Sequence, residues 1–194
     1  MSKLKIEQCI TESCKEISAI VEEYLSTIKR LRSDKGPLNS LVAHVTTLRT
    51  ITNSPDIEDT ETYKLDPDLK LKLELKIQKC IEEVKSEVQQ TIDDLEKLMH
   101  AMEKHCDKVH TVFNQERRNL SLHEIAERTG TFFSVSEKIE AVDRFKRNFY
   151  DHHNCRFFSL ILLDSGGDTN KFMECWDPSA LEPLLKDLQC YALN

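Results

Sequence analysis

Histidine and cysteine are the side chains of this chain best suited to bind a metal, and two pairs of them have helical spacing. Cys106 and His110 are four residues apart, and His152 and Cys155 are three apart. Residues so spaced lie on one face of a helix, so two pairs on adjacent helices could supply the four tetrahedral ligands of a zinc ion. No Cys-x-x-Cys motif supports such a site. We therefore expect no metal site.

Other catalytic patterns are weaker still. Gly166-Gly167 is followed by Asp168 rather than by the Lys-Ser/Thr of a phosphate-binding loop, and the sequence has no G-x-S-x-G motif. A metal-dependent helical-bundle enzyme would need inward-facing Glu-x-x-His motifs. The nearest match has the wrong spacing, since Glu103 precedes His105 by two residues. We expect no catalytic residues and no cofactor, and bound zinc or iron would revive the enzyme alternative.

Charge and cysteine content indicate where the protein acts. The net charge of −7 and pI near 5.5 do not favour direct binding to nucleic acid or to an anionic membrane. Seven cysteines without disulfide spacing indicate reduced thiols. The N-terminal sequence MSKLKIEQCI lacks the apolar core of a signal peptide, and no apolar run approaches the ~20 residues that cross a bilayer. We therefore expect a soluble protein of the cytoplasm and nucleus.

The longest predicted helix carries two interleaved apolar series. The first series reads Ile81, Val88, Leu95, Met102 and Val109, and the second reads Ile77, Val84, Thr91, Leu98, His105 and Val112. Alternating steps of four and three over about five heptads are typical of a coiled coil, in which a polar residue such as His105 sets register. Cys106 and His110 are expected to flank this seam. A single helix of about 45 residues cannot bury such a stripe by itself, so it must pack against other helices.

Turn and capping signals divide the chain into segments. We predict an N-terminal helical pair at 1–53, an acidic linker at 54–66, a long heptad helix at 67–118, a connector at 119–133 and C-terminal helices at 134–194, within one domain overall. Pro37 and Pro67 each suit the first position of a helix. Ser121-x-x-Glu124 and Ser134-x-x-Glu137 are capping boxes.

Individual helices follow from the apolar periodicity. We expect helices at 3–32, 37–52, 67–116, 134–164, 170–175 and 178–192, with Gly130 ending the connector. The predicted fold is all-α: an elongated antiparallel helical bundle in which the four longest helices pack antiparallel. It contains one very long coiled-coil-like helix and a C-terminal helical cap.

Two further residues attract functional interpretations. Trp176, the single tryptophan, is either a buried lid of the bundle or an exposed anchor for a partner; the lid is favoured because a lone tryptophan is usually largely buried. Ser54 precedes Pro55 in the linker and is the most accessible phosphorylation candidate.

Three segments of the sequence carry motifs of a known family. Residues 67–73 read PDLKLKL with Lys76 following, residues 104–113 read KHCDKVHTVF, and residues 142–162 form an apolar-rich helix that is followed by Trp176-Asp177. Together they resemble the AAA-ATPase-interacting ribosome maturation factor (AIRIM) family. The order and spacing agree from about residue 37 to 190, although the family's last long helix is more basic than the Asp-His-His-Asn-Cys at 151–155. The second half also resembles the cyclin-dependent-kinase-interacting protein (CINP) family, and the Pro67 motif favours the first family.

The resemblance implies a non-enzymatic adaptor subunit of a type II AAA+ ATPase complex. Such a complex releases assembly factors during large-ribosomal-subunit maturation and takes part in replisome protein turnover. The implied partners are AAA+ ATPase subunits, a CINP-like helical protein and, indirectly, the pre-ribosomal particle, with no membrane and no direct sequence-specific nucleic acid binding. The alternative is a CINP-like or other coiled-coil subunit of a replication, kinetochore or tethering complex. We expect the partner interface near Arg144, Arg147, Phe149, Tyr150 and Trp176.

Overall fold

The fold is all-α, as predicted. The computed structural model describes residues 2–54, 66, 68–128 and 133–193, and this part of the chain has no β-strand. The α-helices are α1 (Ser2–Leu31), α2 (Pro37–Asn53), α3 (Leu69–Glu116), α4 (Leu122–Ala126), α5 (Val135–Asp164), α6 (Thr169–Cys175) and α7 (Glu182–Leu193), with 3-10 turns at Arg117–Asn119 and Pro178–Ala180. The expectations for Pro55, Pro67 and Gly130 fall outside the described residues.

The 48-residue helix α3 is the axis of the molecule. Helix α1 lies against its C-terminal end, where Lys5 Nζ is 2.5 Å from Glu116 Oε1. Helix α2 lies against its N-terminal end, where Thr52 donates to Glu74 over 3.2 Å. Both helices therefore run antiparallel to α3, one after the other. They contact α3 extensively and each other little, so the predicted N-terminal helical pair packs on α3 rather than on itself.

Helix α5 also packs against α3. Lys85 Nζ on α3 is 2.8 Å from Asp164 on α5, and Lys146 Nζ on α5 is 2.9 Å from Asp107 on α3. These pairs make α5 antiparallel to α3 and hence parallel to α1. The expectation that the four longest helices pack antiparallel is thus wrong for the α1–α5 and α1–α2 pairs. Three helices in mutual contact cannot all be antiparallel, and α1 and α2 together act as one broken helix beside α3.

A turn at residues 32–36 separates α1 from α2, which lie one after the other along α3. Gly36 packs so tightly against the end of α1 that a Cβ atom there would lie 2.2 Å from the carbonyl oxygen of Leu31. The Asn39 side chain donates to the carbonyl oxygens of Arg32 and Ser33 over 3.1 and 3.0 Å, which satisfies groups that a helix end leaves unpaired. Pro37 then opens α2 as predicted.

The buried face of α3 differs from the predicted seam. The first apolar series is buried throughout, but the described members of the second are only partly buried. The core instead takes three residues that each follow a member of the first series by four positions: Ile92, Met99 and Cys106. The prediction that Cys106 flanks the seam is therefore wrong. The physical reason for the difference is that α3 packs against three helices, α1, α2 and α5. It therefore buries a different arc of its surface from the one that a single coiled-coil partner would bury.

Both predicted capping boxes are present. Ser121 and Ser134 each accept a hydrogen bond from the backbone N–H of the glutamate three residues later, and each glutamate accepts one in return. The last helix starts later than expected, because Asp177 caps a separate 3-10 turn at Pro178–Ala180 before α7 begins at Glu182.

Candidate interaction surface

The C-terminal half of α5 exposes four large apolar side chains. The fractional exposures are 41% for Phe157, 56% for Phe158, 51% for Ile161 and 61% for Leu162. The two phenylalanine rings contact edge to face, with centroids 5.6 Å apart. We call these four residues the α5 apolar face. Contiguous apolar surface of this kind marks interaction sites on folded proteins.

The opposite side of the same helix is in the core. Phe149, Leu160 and Leu163 are buried against the rest of the bundle. The last turns of α5 thus carry apolar residues on both the inner and the outer side, as a helix does that is covered on both sides. Within the described chain nothing covers the outer side. Phe157 and Ile161 lie outside the core because one helix can turn only one arc towards it.

Two of the predicted interface residues lie on the same exposed side of α5. Arg144 and Arg147 are exposed, and steps of three or four residues lead from them through Asp151 and Asn154 to Phe158. The surface is therefore basic at the N-terminal end of α5 and apolar at its C-terminal end.

Two other predicted interface residues are not on the surface. Phe149 and Trp176 are part of the predicted partner interface, but both have no exposed area, so neither contacts a partner directly. Phe149 packs between Tyr24, with ring centroids 4.6 Å apart, and Phe145. Both side chains stabilise α5 from inside and can affect a partner only through its position.

Tyr150, the remaining predicted interface residue, is only partly accessible. It is half-buried, and burial together with its hydrogen bond to Glu103 raises the pKa of its phenol to about 12. The same Glu103 lies 3.2 Å from Lys146 Nζ. Tyr150 thus helps to attach α5 to α3 and keeps only part of its ring available to a partner.

Trp176 is a buried lid, the interpretation favoured from the sequence. Its indole N–H donates to Ser159 Oγ over 3.0 Å, and its ring contacts Phe172 with centroids 6.3 Å apart. The following residue, Asp177, pairs with Arg32 at 3.1 Å near the α1–α2 turn. The lid therefore joins α5 to the break between α1 and α2.

A buried cation holds these elements together. Arg156 is 1% exposed, and the described carboxylates form no ion pair with it. Its Nη1 donates to the carbonyl oxygen of His152 over 3.0 Å and to Tyr24 Oη over 3.4 Å, and its Nη2 donates to the carbonyl oxygen of Asp177 over 3.4 Å. The guanidinium also stacks 5.5 Å from the centre of the Tyr24 ring. Polar groups on α1, on α5 and at Asp177, next to the Trp176 lid, thereby solvate the charge.

His153 extends this network. Its Nδ1 lies 3.1 Å from Tyr24 Oη. Burial lowers the pKa of the imidazole, and the positive charge of Arg156 lowers it further, against the opposing effect of Glu96. The neutral form is therefore the one that fits the core.

Two exposed acidic side chains of α5 flank the α5 apolar face along the helix. Asp151 precedes Phe157, and Asp164 follows Leu162. Asp164 pairs with Lys85 of α3 at 2.8 Å, so part of the charge beside the face is neutralised within the bundle.

The residues considered for zinc are not brought together. Cys106 is in the core with its Sγ 3.5 Å from Met102 Sδ, and burial raises the pKa of its thiol to about 12. His110 pairs with Asp143 at 2.7 Å, and Cys155 is on the surface. No group of three potential metal ligands is found in the described part of the chain.

Comparisons with known proteins add no identification. No protein-family model matches the sequence, and a search of curated proteins finds no significant match. Of the helices that the structure describes, none is long and apolar enough to cross a membrane.

Sequence reasoning missed Phe158 and Leu162. The available signal was the apolar run at 157–163, in which the apolar residues occupy all sides of a helix rather than one stripe. Such a run predicts contact with something beyond the usual core, although it does not tell which side is the outer one.

Proposed function

We propose that this chain is a non-enzymatic adaptor subunit of a type II AAA+ ATPase complex that acts in large-ribosomal-subunit maturation by releasing assembly factors, with a further role in replisome proteostasis. The sequence resemblance supplies the named complex. The observation that carries the adaptor role is the α5 apolar face, because four large apolar side chains on the outside of a helical bundle indicate a protein partner.

The occupant that suits this face is an amphipathic helix of a CINP-like helical subunit. A helix that lies along α5 would set its apolar residues against Phe158 and Leu162, in the manner of helix-in-groove recognition. Basic residues at its edges would complement Asp151 and the net charge of −7. The AAA+ ATPase subunits would then bind the pair of adaptors.

The area of the α5 apolar face limits the binding free energy that it can contribute. Completing the burial of four half-exposed aliphatic and aromatic side chains would give roughly 4 kcal/mol before the costs of association. A standard interface buries about 800 Å² on each partner. The face is therefore suited to be the central cluster of an interface whose rim includes Arg147 and Tyr150.

Affinity purification from the native cell, read by mass spectrometry, tests the proposal. We compare the wild-type chain with the double variant Phe158→Lys/Leu162→Lys. The matched control is Leu122→Lys, because Leu122 is an apolar residue that is 87% exposed but lies on α4. The wild type and the control should recover AAA+ subunits and a CINP-like protein, and the double variant should lose them at least tenfold.

Two results would contradict parts of this proposal. If neither kind of protein is recovered with the wild type, the AAA+ assignment fails. If both are recovered equally well with the double variant, the complex is correct but the α5 apolar face is not where it binds.

The second candidate is a CINP-like or other coiled-coil subunit of a different complex. It is favoured by α3, whose first turns expose Leu71 and Leu75 at 57% and 61%. These residues precede Lys85, which marks the end of α5 along α3, so they could continue a coiled coil with another chain. Recovery of replication, kinetochore or tethering proteins without an AAA+ ATPase would support this candidate. Residence in cytoplasm and nucleus stays a prediction for either one.

A further inference from the structure

Helix α6 folds back onto α5 and brings two cysteines together. Two hydrogen bonds set the alignment, from Trp176 Nε1 to Ser159 Oγ over 3.0 Å and from Arg156 Nη2 to the carbonyl oxygen of Asp177 over 3.4 Å. Cys155 directly precedes Arg156, and Cys175 directly precedes Trp176. The Cys155 side chain is one of the groups that raise the pKa of the Cys175 thiol, so the two thiols lie beside each other.

The surroundings of this pair differ from those of the core cysteines. Cys9, Cys14 and Cys106 are buried, whereas Cys155 is exposed and Cys175 is half-buried. A soluble oxidant can therefore reach Cys155 directly, which it cannot do for the core thiols. The function proposed above makes no use of either Cys155 or Cys175.

We propose that Cys155 and Cys175 are a redox modification site, forming a reversible intrachain disulfide between α5 and α6 with a glutathione-type disulfide as the oxidant. The inference does not depend on the identity of any partner protein.

The reaction proceeds by two thiol–disulfide exchanges. The Cys155 thiolate attacks one sulfur of glutathione disulfide, which breaks its S–S bond, releases one glutathione thiolate and leaves Cys155 as a mixed disulfide. Cys175 then loses its proton to solvent and attacks Cys155 Sγ, which releases the second glutathione. Two protein thiols are oxidised to one disulfide, and one glutathione disulfide is reduced to two glutathione molecules.

The two steps should differ in rate. Burial raises the pKa of the Cys175 thiol to about 11, and the neighbouring Cys155 adds to the rise. Only a small fraction of Cys175 is therefore thiolate at neutral pH, so the second step is the slow one. The mixed disulfide at Cys155 should accumulate first and convert to the intrachain bond faster as the pH rises.

The bond would restrain the lid beside the α5 apolar face. Cys155 lies one turn before Phe158, and the bond closes a loop of about 20 residues that contains α6 and precedes Trp176 directly. Because such a loop loses entropy mainly in the unfolded state, oxidation should raise the midpoint of thermal unfolding by on the order of 5–10 °C.

The test incubates the purified full-length protein with glutathione disulfide, blocks the remaining thiols and maps peptides without reduction. We expect a linked peptide pair containing Cys155 and Cys175, which dithiothreitol separates, together with the rise in unfolding temperature. The variants Cys155→Ser and Cys175→Ser should lose both effects. The matched control Cys190→Ser, which changes an exposed cysteine on α7, should keep both.

Two results would overturn the inference. One is stable glutathionylation of Cys155 that never converts to the linked pair, even at pH 9. The other is a disulfide that joins two chains through Cys155. Circular dichroism of each serine variant checks its folding, and trapping Cys155 as the mixed disulfide in Cys175→Ser shows its reactivity independently of stability.

Discussion

Several polar side chains of α1 and α5 are buried. Arg156, His153, Ser159 and Ser13 are all buried, and three of them have partners on other elements or on the backbone. The buried guanidinium of Arg156 is solvated by carbonyl oxygens and by Tyr24 rather than by an acid. Each unsatisfied group in such a setting costs free energy, so individual substitutions here report on the packing directly.

Ser13 offers the simplest such test. Its hydroxyl is buried and has no hydrogen-bond partner in the described chain. Ser13→Ala removes this desolvated group and improves helix propensity, so it should raise the free energy of unfolding by about 1 kcal/mol. Chemical denaturation measures the change.

Ser18→Ala is the matched control for that substitution. Ser18 is also buried on α1, but its hydroxyl donates to the carbonyl oxygen of Cys14 over 2.8 Å. The lost bond and the gained propensity should nearly cancel. If Ser13→Ala destabilises the protein while Ser18→Ala does not, the Ser13 hydroxyl makes a stabilising hydrogen bond after all.

The imidazole of His153 should make stability depend on pH. Its folded pKa is lowered, chiefly by burial, from the ordinary value of 6.5, so the unfolded chain binds the proton more readily. The stability of the neutral form is fully present above pH 6.5 and is lost as the pH falls towards the folded pKa. The free energy of unfolding, measured between pH 8 and pH 5, should therefore decrease on acidification.

His153→Gln provides the comparison for this pH effect. Glutamine stays neutral and can still hydrogen-bond to Tyr24 Oη, so the variant should lose part of the decrease between pH 6.5 and 5. His152, whose pKa is also lowered by burial, should account for part of the remaining decrease. An unchanged pH dependence in the variant would show that His153 is not the titrating group.

At the scale of elements, the decisive feature is the break between α1 and α2. The two helices together match the length of α3, because Lys5 reaches Glu116 at one end and Thr52 reaches Glu74 at the other. The turn at 32–36 allows the chain to change direction slightly while it keeps following α3. It also makes room for the lid segment, since Asp177 pairs with Arg32 there.

Gly36→Ala should disturb this break strongly. The backbone of Gly36 has φ −76°, which any residue can adopt, so the requirement is for space and not for a special dihedral angle. A methyl group would lie 2.2 Å from Leu31 O and 2.8 Å from Arg30 O. We expect a loss of about 2–3 kcal/mol in the free energy of unfolding, as for an overpacked core site.

Lys35→Ala is the control for the turn. Lys35 is exposed in the same turn, and its removal should change stability by less than about 0.5 kcal/mol. Thermal and denaturant unfolding of the two variants give the comparison. Equal stability of Gly36→Ala and the wild type would mean that the end of α1 can shift without cost.

At the scale of the whole molecule, the protein has a packed hydrophobic core and, outside it, one apolar patch that the described chain leaves uncovered. The inner sides of α1, α3 and α5 share one hydrophobic cluster that extends to Trp176 and to Leu188 on α7. The α5 apolar face lies outside it. A molecule of this kind should be stable alone and should lose little stability when the outer face is made polar.

The double variant Phe158→Lys/Leu162→Lys tests this separation of core and surface. The free energy of unfolding should stay within about 1 kcal/mol of the wild type, because both side chains are mainly exposed and cations near a helix C-terminus are favourable. Binding of an apolar dye and self-association in sedimentation velocity should both decrease. A loss above 2 kcal/mol would instead place these residues in the folding core.

The sequence by itself determined the positions of the helices. The capping boxes at Ser121 and Ser134, Pro37 at the start of α2 and the heptad stripe of α3 are local signals, since they act through hydrogen bonds and dihedral preferences within a few residues. The predicted bounds of α1, α2 and α5 accordingly agree with the structure to within two residues. The all-α class follows from the same signals.

Only the tertiary structure decided which side of each helix is buried and which elements meet. Cys106 lies in the core although the heptad pattern predicts that it flanks the seam, and the apolar residue Phe157 lies outside the core, because burial depends on how many neighbours surround a helix and from which directions. Trp176 became a lid, and Cys155 met Cys175, through contacts between residues about 20 positions apart. A periodic sequence specifies an apolar stripe only to within a turn of the helix. The orientation of that stripe, and the existence of the α5 apolar face, depend on packing against the other helices.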